Sequence, residues 1–208
     1  MVLCHDSTLE RFGYDSVKIE TSEWGALKAL DMGAWFPGYQ GEPQRLLLLS
    51  ELFQHFGASF LYHIEIKGQG RCIEAAVHSI CKNSGFLDRC IFTSFELEAL
   101  KCLHEINAEL KLGWLVREVS SQIVESAASI GAFQLCIPVT IASVELVGRL
   151  KEQFPEIRAW GLRGTKEEVQ RIVCSLLNAG CDGVTTNWPD WVLEAVQEKK
   201  ELTCSKSS

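Results

Sequence analysis

The sequence predicts an α/β protein built on a parallel sheet, and three observations support this. From residue 61 onward, apolar runs of strand length alternate with stretches of helix length, six times in succession. The connections between them are short, and turn or helix-capping residues lie at the boundaries. Strict alternation of this kind is typical of parallel strands joined by right-handed crossovers.

Two architectures fit six β–α units: an open doubly wound sheet, or part of a (β/α)₈ (TIM) barrel. The doubly wound fold commonly carries a glycine-rich turn that binds phosphate. Gly68-Gln-Gly70 is the candidate, but it lacks the third glycine at the required spacing. We therefore expect a plain strand-to-helix loop there.

The elements follow one another in regular order. Strands are predicted over 61–66, 90–94, 111–116, 133–138, 157–162 and 182–186. Helices are predicted over 71–84, 120–130, about 141–153 and from 165 to Gly180. A further helix follows the strand at 90–94 and ends at about 107, and the last helix begins at Pro189. Their ends carry recognisable signals, namely the capping-box spacings Thr93–Glu96 and Thr165–Glu168, C-terminal glycines at Gly85 and Gly180, and Pro189 as a first helical residue.

Residues 7–57 have a different character. They are rich in glycine, tryptophan and turn residues, with a short helix predicted around 22–30. A second helix is predicted over 45–57 from the spacing of its apolar residues. From about Lys199 the chain is polar, and we expect a frayed tail over 199–208 after one domain spanning 1–198.

The composition is that of a globular protein, with 47% hydrophobic and 23% charged residues in a chain of 208. The net charge of −7 argues against a nucleic-acid partner, which a basic face would favour. No apolar run approaches the roughly 20 residues that span a bilayer, and the first residues lack the pattern of a signal peptide. The nine cysteines include no Cys-x-x-Cys pair, so we expect reduced thiols in the cytoplasm or another intracellular compartment.

The segment 61–67 contains the most informative candidate residues. A buried parallel strand should be continuously hydrophobic, yet His63, Glu65 and Lys67 occur here at period two and therefore point to one side. Ile64 and Ile66 point to the other side. Buried charges need partners, a metal or a wet cavity, and barrel enzymes place catalytic groups at the C-terminal ends of strands. A structural Glu65–Lys67 pair is the alternative, and for His63 we favour a core histidine with satisfied hydrogen bonds.

The second candidate is the dipeptide His5–Asp6 near the start of the chain. Such a dipeptide is common, and taken alone it predicts a surface turn.

Together these segments resemble one family, the glycerophosphodiester phosphodiesterases. The resemblance extends from residue 2 to about 195 and depends on seven motifs in order. They are His5-Asp6-x-Thr-Leu-Glu-Arg11, Leu30-Asp-x-Gly33-x-Trp35-Phe36, Ile64-Glu-Ile-Lys67, Thr93-Ser-Phe95, Gly113-Trp-Leu115, Ala159-Trp160 and Asp182-Gly-Val-Thr-Thr-Asn-x-Pro-Asp190.

The resemblance implies a TIM barrel of the phospholipase C-like phosphodiesterase type. The six β–α units over 61–198 match its third to eighth strands, and 7–57 matches an insertion and the helix that leads into the third strand. The family's first strand ends in a His-Arg-Gly motif and its second in a Glu-x-Asp pair, and neither motif occurs before His5.

The resemblance also implies roles for four residues. His5 resembles a catalytic histidine that acts as general acid or base. Glu65 resembles a ligand of a divalent metal, Mg²⁺ or Ca²⁺, and Lys67 resembles the cation that faces the phosphate oxygens. Trp160 resembles an aromatic wall near the glycerol moiety, with a core tryptophan as the alternative.

The implied reaction splits a small-molecule glycerophosphodiester into sn-glycerol 3-phosphate and an alcohol with the help of the metal. The chain departs from the family at one histidine, one arginine and two carboxylates, and has Asn187 where many relatives have Asp. We therefore expect weak or no activity from these 208 residues. Three hypotheses follow: Met1 is not the natural start of an active enzyme, the chain is an inactive or regulatory fragment, or it is a module that binds phosphodiester head groups without cleaving them.

Overall fold

The computed structural model describes residues 1–68 and 72–204, with side chains described as far as Lys199 in the last helix. The chain forms two compact units, Met1–Cys90 and Ile91–Ser208. The predicted loop at Gly68-Gln-Gly70 and the predicted helix start at residue 71 fall partly outside the described residues, as does the end of the predicted tail.

The predicted alternation of strands and helices from residue 61 onward is confirmed. The strands are β1 (Tyr62–Glu65), β2 (Cys90–Ser94), β3 (Lys111–Leu115), β4 (Gln134–Pro138), β5 (Glu156–Trp160) and β6 (Gly183–Val184). The helices are α1 (Trp24–Lys28), α2 (Leu49–Phe56), α3 (Ile73–Asn83), α4 (Leu97–Ile106), α5 (Ser121–Ser129), α6 (Val144–Lys151), α7 (Lys166–Ala179) and α8 (Pro189–Cys204). Short 3₁₀ helices occupy Glu10–Phe12, Ile19–Thr21, Gly57–Ser59 and Leu87–Arg89.

In the second unit, the strands β2 to β6 pair in chain order, and every pairing is parallel. A doubly wound sheet would reverse its strand order at a switch point, whereas consecutive order is that of a barrel. The five strands therefore favour the barrel alternative.

The strand β5 displays the two faces of this sheet. Ile157 and Ala159 are fully buried, whereas Glu156, Arg158 and Trp160 alternate with them and are partly exposed. On the helical side, a cluster of apolar residues buries α7 against α8. Its most buried members are Leu162, Val169, Val173 and Ala195.

A glycine in β3 allows its neighbours to pack closely. Gly113 is in register with Thr93 on one side and Gln134 on the other. A Cβ atom at this position would lie 2.9 Å from both the Thr93 Cγ2 and the Gln134 Oε1 atoms. A larger residue would therefore push against a buried amide, and Gln134 is fully buried.

The first unit has two small apolar centres. Leu9, Leu27 and Leu46 are buried together, surrounded by partly buried side chains of residues 2–32. The ring of Phe53 on α2 packs edge-to-face on Tyr62 of β1, with centroids 4.9 Å apart. The helix α2 therefore fixes the position of the strand that carries Glu65.

Several of the predicted helix boundaries are confirmed. Thr165 and Glu168 form the predicted capping box at the start of α7, and Gly180 ends this helix with a φ of +88°. Gly85 likewise has a positive φ of +75° just after α3, and α8 begins at Pro189.

The predicted capping box at Thr93 and Glu96 is wrong. Thr93 is buried within β2, and Glu96 itself is the residue before α4, with no side-chain cap. The Ser94 hydroxyl instead accepts a hydrogen bond from the Glu96 N–H at 3.1 Å. Burial of an apolar strand thus prevailed over a local sequence signal.

Two helices start later than predicted. α2 begins at Leu49 rather than 45, because residues 46–48 are extended and pair with the first residues of the chain. The Glu51 carboxylate accepts the Leu48 N–H at 2.8 Å and so marks the actual start. α6 begins at Val144 rather than about 141, because Ser143 caps it by accepting the Leu146 N–H.

At the other end, α8 continues to Cys204, beyond the expected start of the tail at Lys199. Among the described residues, no helix is both long and apolar enough to cross a membrane. The eight cysteines with described side chains form no disulfide.

Candidate functional site

The side chains of β1 alternate between its two faces as predicted. Tyr62 and Ile64 are buried, whereas His63 is exposed and Glu65 is partly exposed. The expectation of a core histidine at His63 is therefore wrong, because this residue lies on the open face together with Glu65. Lys67 follows the strand and contacts Glu65, with 3.3 Å between Nζ and Oε2.

Lys67 also connects the end of β1 to the start of the chain. Its ammonium group donates a hydrogen bond to the backbone carbonyl of His5 at 3.2 Å, across 62 positions of sequence. Three predicted site residues, His5, Glu65 and Lys67, are thereby brought together within the first unit.

His5 belongs to a chain of polar contacts. Its Nδ1 atom lies 2.6 Å from Oδ1 of Asp6, and the other oxygen, Oδ2, lies 2.9 Å from Nη2 of Arg11. The hydrogen bond from His5 is the largest influence on the pKa of Asp6 and lowers it. Burial opposes this effect, and the charges of Arg11 and Lys67 lower the pKa further. Asp6 is therefore ionised at neutral pH.

An ionised carboxylate only accepts hydrogen bonds, so the Nδ1 atom of His5 is the donor in its contact with Asp6. The second ring nitrogen, Nε2, is then available to contact a ligand or a water molecule from the solvent side. The His5 side chain is 74% exposed, and a ligand can reach it without any rearrangement of the core.

An open groove adjoins Glu65. Its volume is about 390 Å³. Apart from His63 and Glu65 it is walled mainly by apolar and aromatic side chains, among them Leu49, Leu52, Phe56 and Phe60. The carboxylate of Glu65 thus lies where a polar site borders an apolar surface.

A divalent metal fits the described residues poorly. Within residues 1–68 and 72–204, no three His, Cys, Asp or Glu side chains converge closely enough to hold a metal ion. Mg²⁺ and Ca²⁺ require about six or more oxygen ligands, whereas Glu65 offers one carboxylate and already has the Lys67 ammonium beside it.

Trp160 ends β5 in the second unit. Its indole N–H donates to the carbonyl of Val116 at 3.1 Å, and its ring packs edge-to-face on Phe95 with centroids 5.1 Å apart. The guanidinium of Arg117 covers the Phe95 ring at 4.7 Å. Trp160 is partly exposed, so an aromatic wall and a packing residue both remain compatible with its position.

Sequence reasoning missed the role of Arg11, although the residue stood inside a quoted motif. It also missed Asp31, whose carboxylate accepts the N–H groups of Gly33 and Gln44, each at 2.9 Å. The hydrogen bond from Gly33 is the main cause that lowers the pKa of Asp31. An aspartate two residues before a glycine is a turn signal that could have indicated this contact.

Comparisons with known proteins identify the family of the chain. A model of the glycerophosphoryl diester phosphodiesterase family matches residues 1–191. The Bacillus subtilis protein YhdW, named provisionally as a glycerophosphodiester phosphodiesterase, is 22% identical over 201 residues, which cover 93% of this chain and 79% of YhdW.

Solved structures show the same fold. A Silicibacter pomeroyi protein with a similar provisional name has a TM-score of 0.81 at 17% identity, over 96% of this chain and 79% of its own. An Oleispira antarctica phosphodiesterase, solved in complex with its product sn-glycerol 3-phosphate, has a TM-score of 0.77 at 25% identity, over 94% and 79% of the two chains.

The fold is that of part of a TIM-barrel phosphodiesterase, as the sequence predicted. The chain belongs to the glycerophosphoryl diester phosphodiesterase family.

Proposed function

We propose that this chain handles glycerophosphodiesters at a site formed by His5, Glu65 and Lys67, and that His5 and Lys67 are the residues that act on the phosphate. The observation that carries the proposal is the hydrogen bond from Lys67 to the His5 carbonyl. It joins a proton-transfer group and a cation that can stabilise phosphate oxygens, from distant parts of the sequence.

His5 is suited to proton transfer. With Nδ1 engaged by Asp6, Nε2 is available to take a proton from an attacking water or to give one to the leaving oxygen. In hydrolysis, a water oxygen bonds to phosphorus while the phosphorus–oxygen bond to the alcohol breaks. The products are then sn-glycerol 3-phosphate and the free alcohol.

Lys67 is suited to the phosphate oxygens. Its ammonium carries three donors, of which one is used by the His5 carbonyl and another by Glu65. A remaining donor and the positive charge are available for an oxygen that gains negative charge during the reaction. The Oleispira antarctica relative was solved with the corresponding product, sn-glycerol 3-phosphate, which supports this class of ligand.

Enzymes of this family use a divalent metal such as Mg²⁺ or Ca²⁺, and Glu65 is the residue of this chain that would contribute to holding it. A bound metal would supply Lewis-acid chemistry at the phosphate. Because one carboxylate is too few oxygen ligands for a hard cation, we expect weak metal binding and turnover close to background.

A second candidate function is binding without cleavage. The observation that favours it is the same shortage of oxygen ligands beside Glu65, because phosphate recognition by Lys67 and His5 does not depend on a metal. Both functions take the same small-molecule ligand class.

The experiment measures binding and turnover side by side on the purified 208-residue chain. Calorimetry with sn-glycerol 3-phosphate gives the affinity, and release of sn-glycerol 3-phosphate from glycerophosphocholine, with Mg²⁺ or Ca²⁺ added, gives the rate. We expect measurable binding that is weakened by His5→Ala, and turnover at or near background. The control is His104→Ala, which removes a histidine from α4 in the other compact unit.

The possible outcomes separate the candidates. Binding without product favours the binding module, and slow turnover that is lost in His5→Ala favours a weak hydrolase. Robust metal-dependent turnover that disappears in Glu65→Ala would contradict the expected weakness of the metal site. The absence of both binding and turnover would refute the proposed function.

A further inference from the structure

The contacts of Arg11 carry an inference beyond the three residues of the proposed site. Asp6 uses one carboxylate oxygen for His5 and the other for Arg11, at 2.6 and 2.9 Å. The two oxygens are therefore committed to different partners. Rotation of the carboxylate away from His5 would break the contact with Arg11 as well.

Arg11 is itself held in place by two aromatic rings. It lies on the short helix Glu10–Phe12, next to the fully buried Leu9. Its guanidinium carbon is 4.9 Å from the centroid of the Phe12 ring and 5.4 Å from that of Trp35. A planar guanidinium suits both contacts, because it stacks on aromatic faces while its edge donates to a carboxylate.

The aromatic support is in turn fixed by the loop that contains Trp35. The Phe12 and Trp35 rings meet edge-to-face, with centroids 5.4 Å apart. The loop turns at Gly33, where a Cβ atom would lie 2.9 Å from Gln44, and Asp31 fastens it by accepting the Gly33 N–H. The position of Arg11 is thus defined by two separate segments of the first unit.

Among the described residues, the imidazole of His5 has no support comparable to that of Arg11. Its side chain is 74% exposed, and Lys67 holds only the backbone carbonyl of this residue. A histidine and an aspartate that are neighbours in sequence have many relative orientations. Asp6 can select one of them only if its own carboxylate is fixed.

We propose that Arg11 is a positioning residue, which acts through Asp6 to hold the His5 ring with Nδ1 protonated and Nε2 directed to the ligand. The inference rests on the proposed function for the use of Nε2, but the positioning itself does not require turnover. The competing explanation is an ordinary surface ion pair, which would add a little stability and leave the ring unaffected.

The two explanations differ in the tautomer of His5. Long-range ¹H–¹⁵N spectra of the labelled 208-residue chain report which ring nitrogen carries the proton when the ring is neutral. The variants are Arg11→Lys, which keeps the charge but loses the planar fork, and Arg11→Gln, which loses both. Asp6→Asn is the reference for loss of the acceptor, and Arg45→Gln removes an exposed arginine of the same unit that contacts the Ala29 carbonyl instead.

We expect the Nδ1-protonated fraction of His5 to fall in both Arg11 variants, further in Arg11→Gln, and furthest in Asp6→Asn. In Arg11→Gln the acceptor of the His5 bond is still an ionised carboxylate, whereas in Asp6→Asn the bond becomes neutral and about half as strong, so the loss should be partial in the first variant and largest in the second. Arg45→Gln should match the wild type, and unfolding curves should show that all variants fold.

An unchanged tautomer in folded Arg11→Gln would overturn the inference, whether or not Asp6→Asn changes it. The same holds if Arg45→Gln changes the tautomer as much as the Arg11 variants do. Failure of the proposed function is a separate result, because the chain would then bind no sn-glycerol 3-phosphate while the tautomer still responded to Arg11.

Discussion

Replacement of Lys67 by methionine tests whether this lysine acts on the ligand or on the fold. The substitution keeps the apolar stem of the side chain and removes its charge. It breaks the ion pair with Glu65 at 3.3 Å and the hydrogen bond to the His5 carbonyl at 3.2 Å. The two side chains of the pair are 36% and 30% exposed, so solvent screens the pair.

The expected loss of stability is therefore small. Exposed ion pairs contribute about 0.2–1 kcal/mol, and a hydrogen bond in contact with solvent falls at the low end of about 0.5–1.5 kcal/mol. We expect the free energy of unfolding to fall by about 1 kcal/mol in urea titrations. The free energy of ligand binding should weaken by a similar amount, because a unit charge about 4 Å from a phosphate contributes about 1 kcal/mol even in bulk water. That corresponds to about a fivefold weaker affinity for sn-glycerol 3-phosphate.

The matched control is Lys101→Met, which removes the same charge and an ion pair of 2.7 Å with Glu98 on α4. It should leave the affinity for sn-glycerol 3-phosphate unchanged. Wild-type affinity in Lys67→Met would show that this lysine does not act on the phosphate. A loss of unfolding free energy above about 3 kcal/mol would instead show that Lys67 is a structural residue.

Three further predictions concern the fold and the charges around His5. Asp6 has a lowered pKa in the folded protein, so its contribution to stability is present above the pKa of the unfolded chain and is lost as the pH falls through the folded value. Between pH 5 and pH 2.5, the urea midpoint should therefore fall further in the wild type than in Asp6→Asn. Equal falls in the two proteins would contradict this. Thr165→Ala should cost about 1 kcal/mol by removing the cap of α7, whereas Thr140→Ala, in an exposed turn, should cost almost nothing; equal costs would argue against the cap. Phe53→Ala should cost about 3–5 kcal/mol because this ring is 2% exposed, whereas Phe56→Ala, at 37% exposure, should cost clearly less, and the reverse order would contradict the assigned core.

The sequence predicts the strands well because each strand-length apolar stretch is bounded by turn or helix-capping residues. Where a local signal competes with burial, prediction fails. Thr93 has the spacing of a helix cap but lies inside β2, whereas Thr165 has the same spacing beyond its strand and does cap a helix. The difference depends on which residues the sheet buries, and this is set by contacts distant in sequence.

The candidate site likewise has a part that the sequence predicts and a part that it does not. The period-two pattern over 63–67 placed Glu65 and Lys67 on one side of a strand, since alternation is a local property of extended chains. The pattern could not show that Lys67 donates to the His5 carbonyl. It also could not show that Arg11 contacts Asp6 while its guanidinium packs on the Phe12 and Trp35 rings. The first contact joins residues 62 positions apart, and the second depends on the irregular segment 7–57, whose turns have no regular period.

The most direct test of the proposed site is to follow the ring resonances of His5 while sn-glycerol 3-phosphate is titrated into the labelled chain. We expect saturable shifts at His5, and the same shifts should require about fivefold more ligand in Lys67→Met. Saturable binding that leaves the His5 ring unchanged, or no binding at all, would contradict the proposed site.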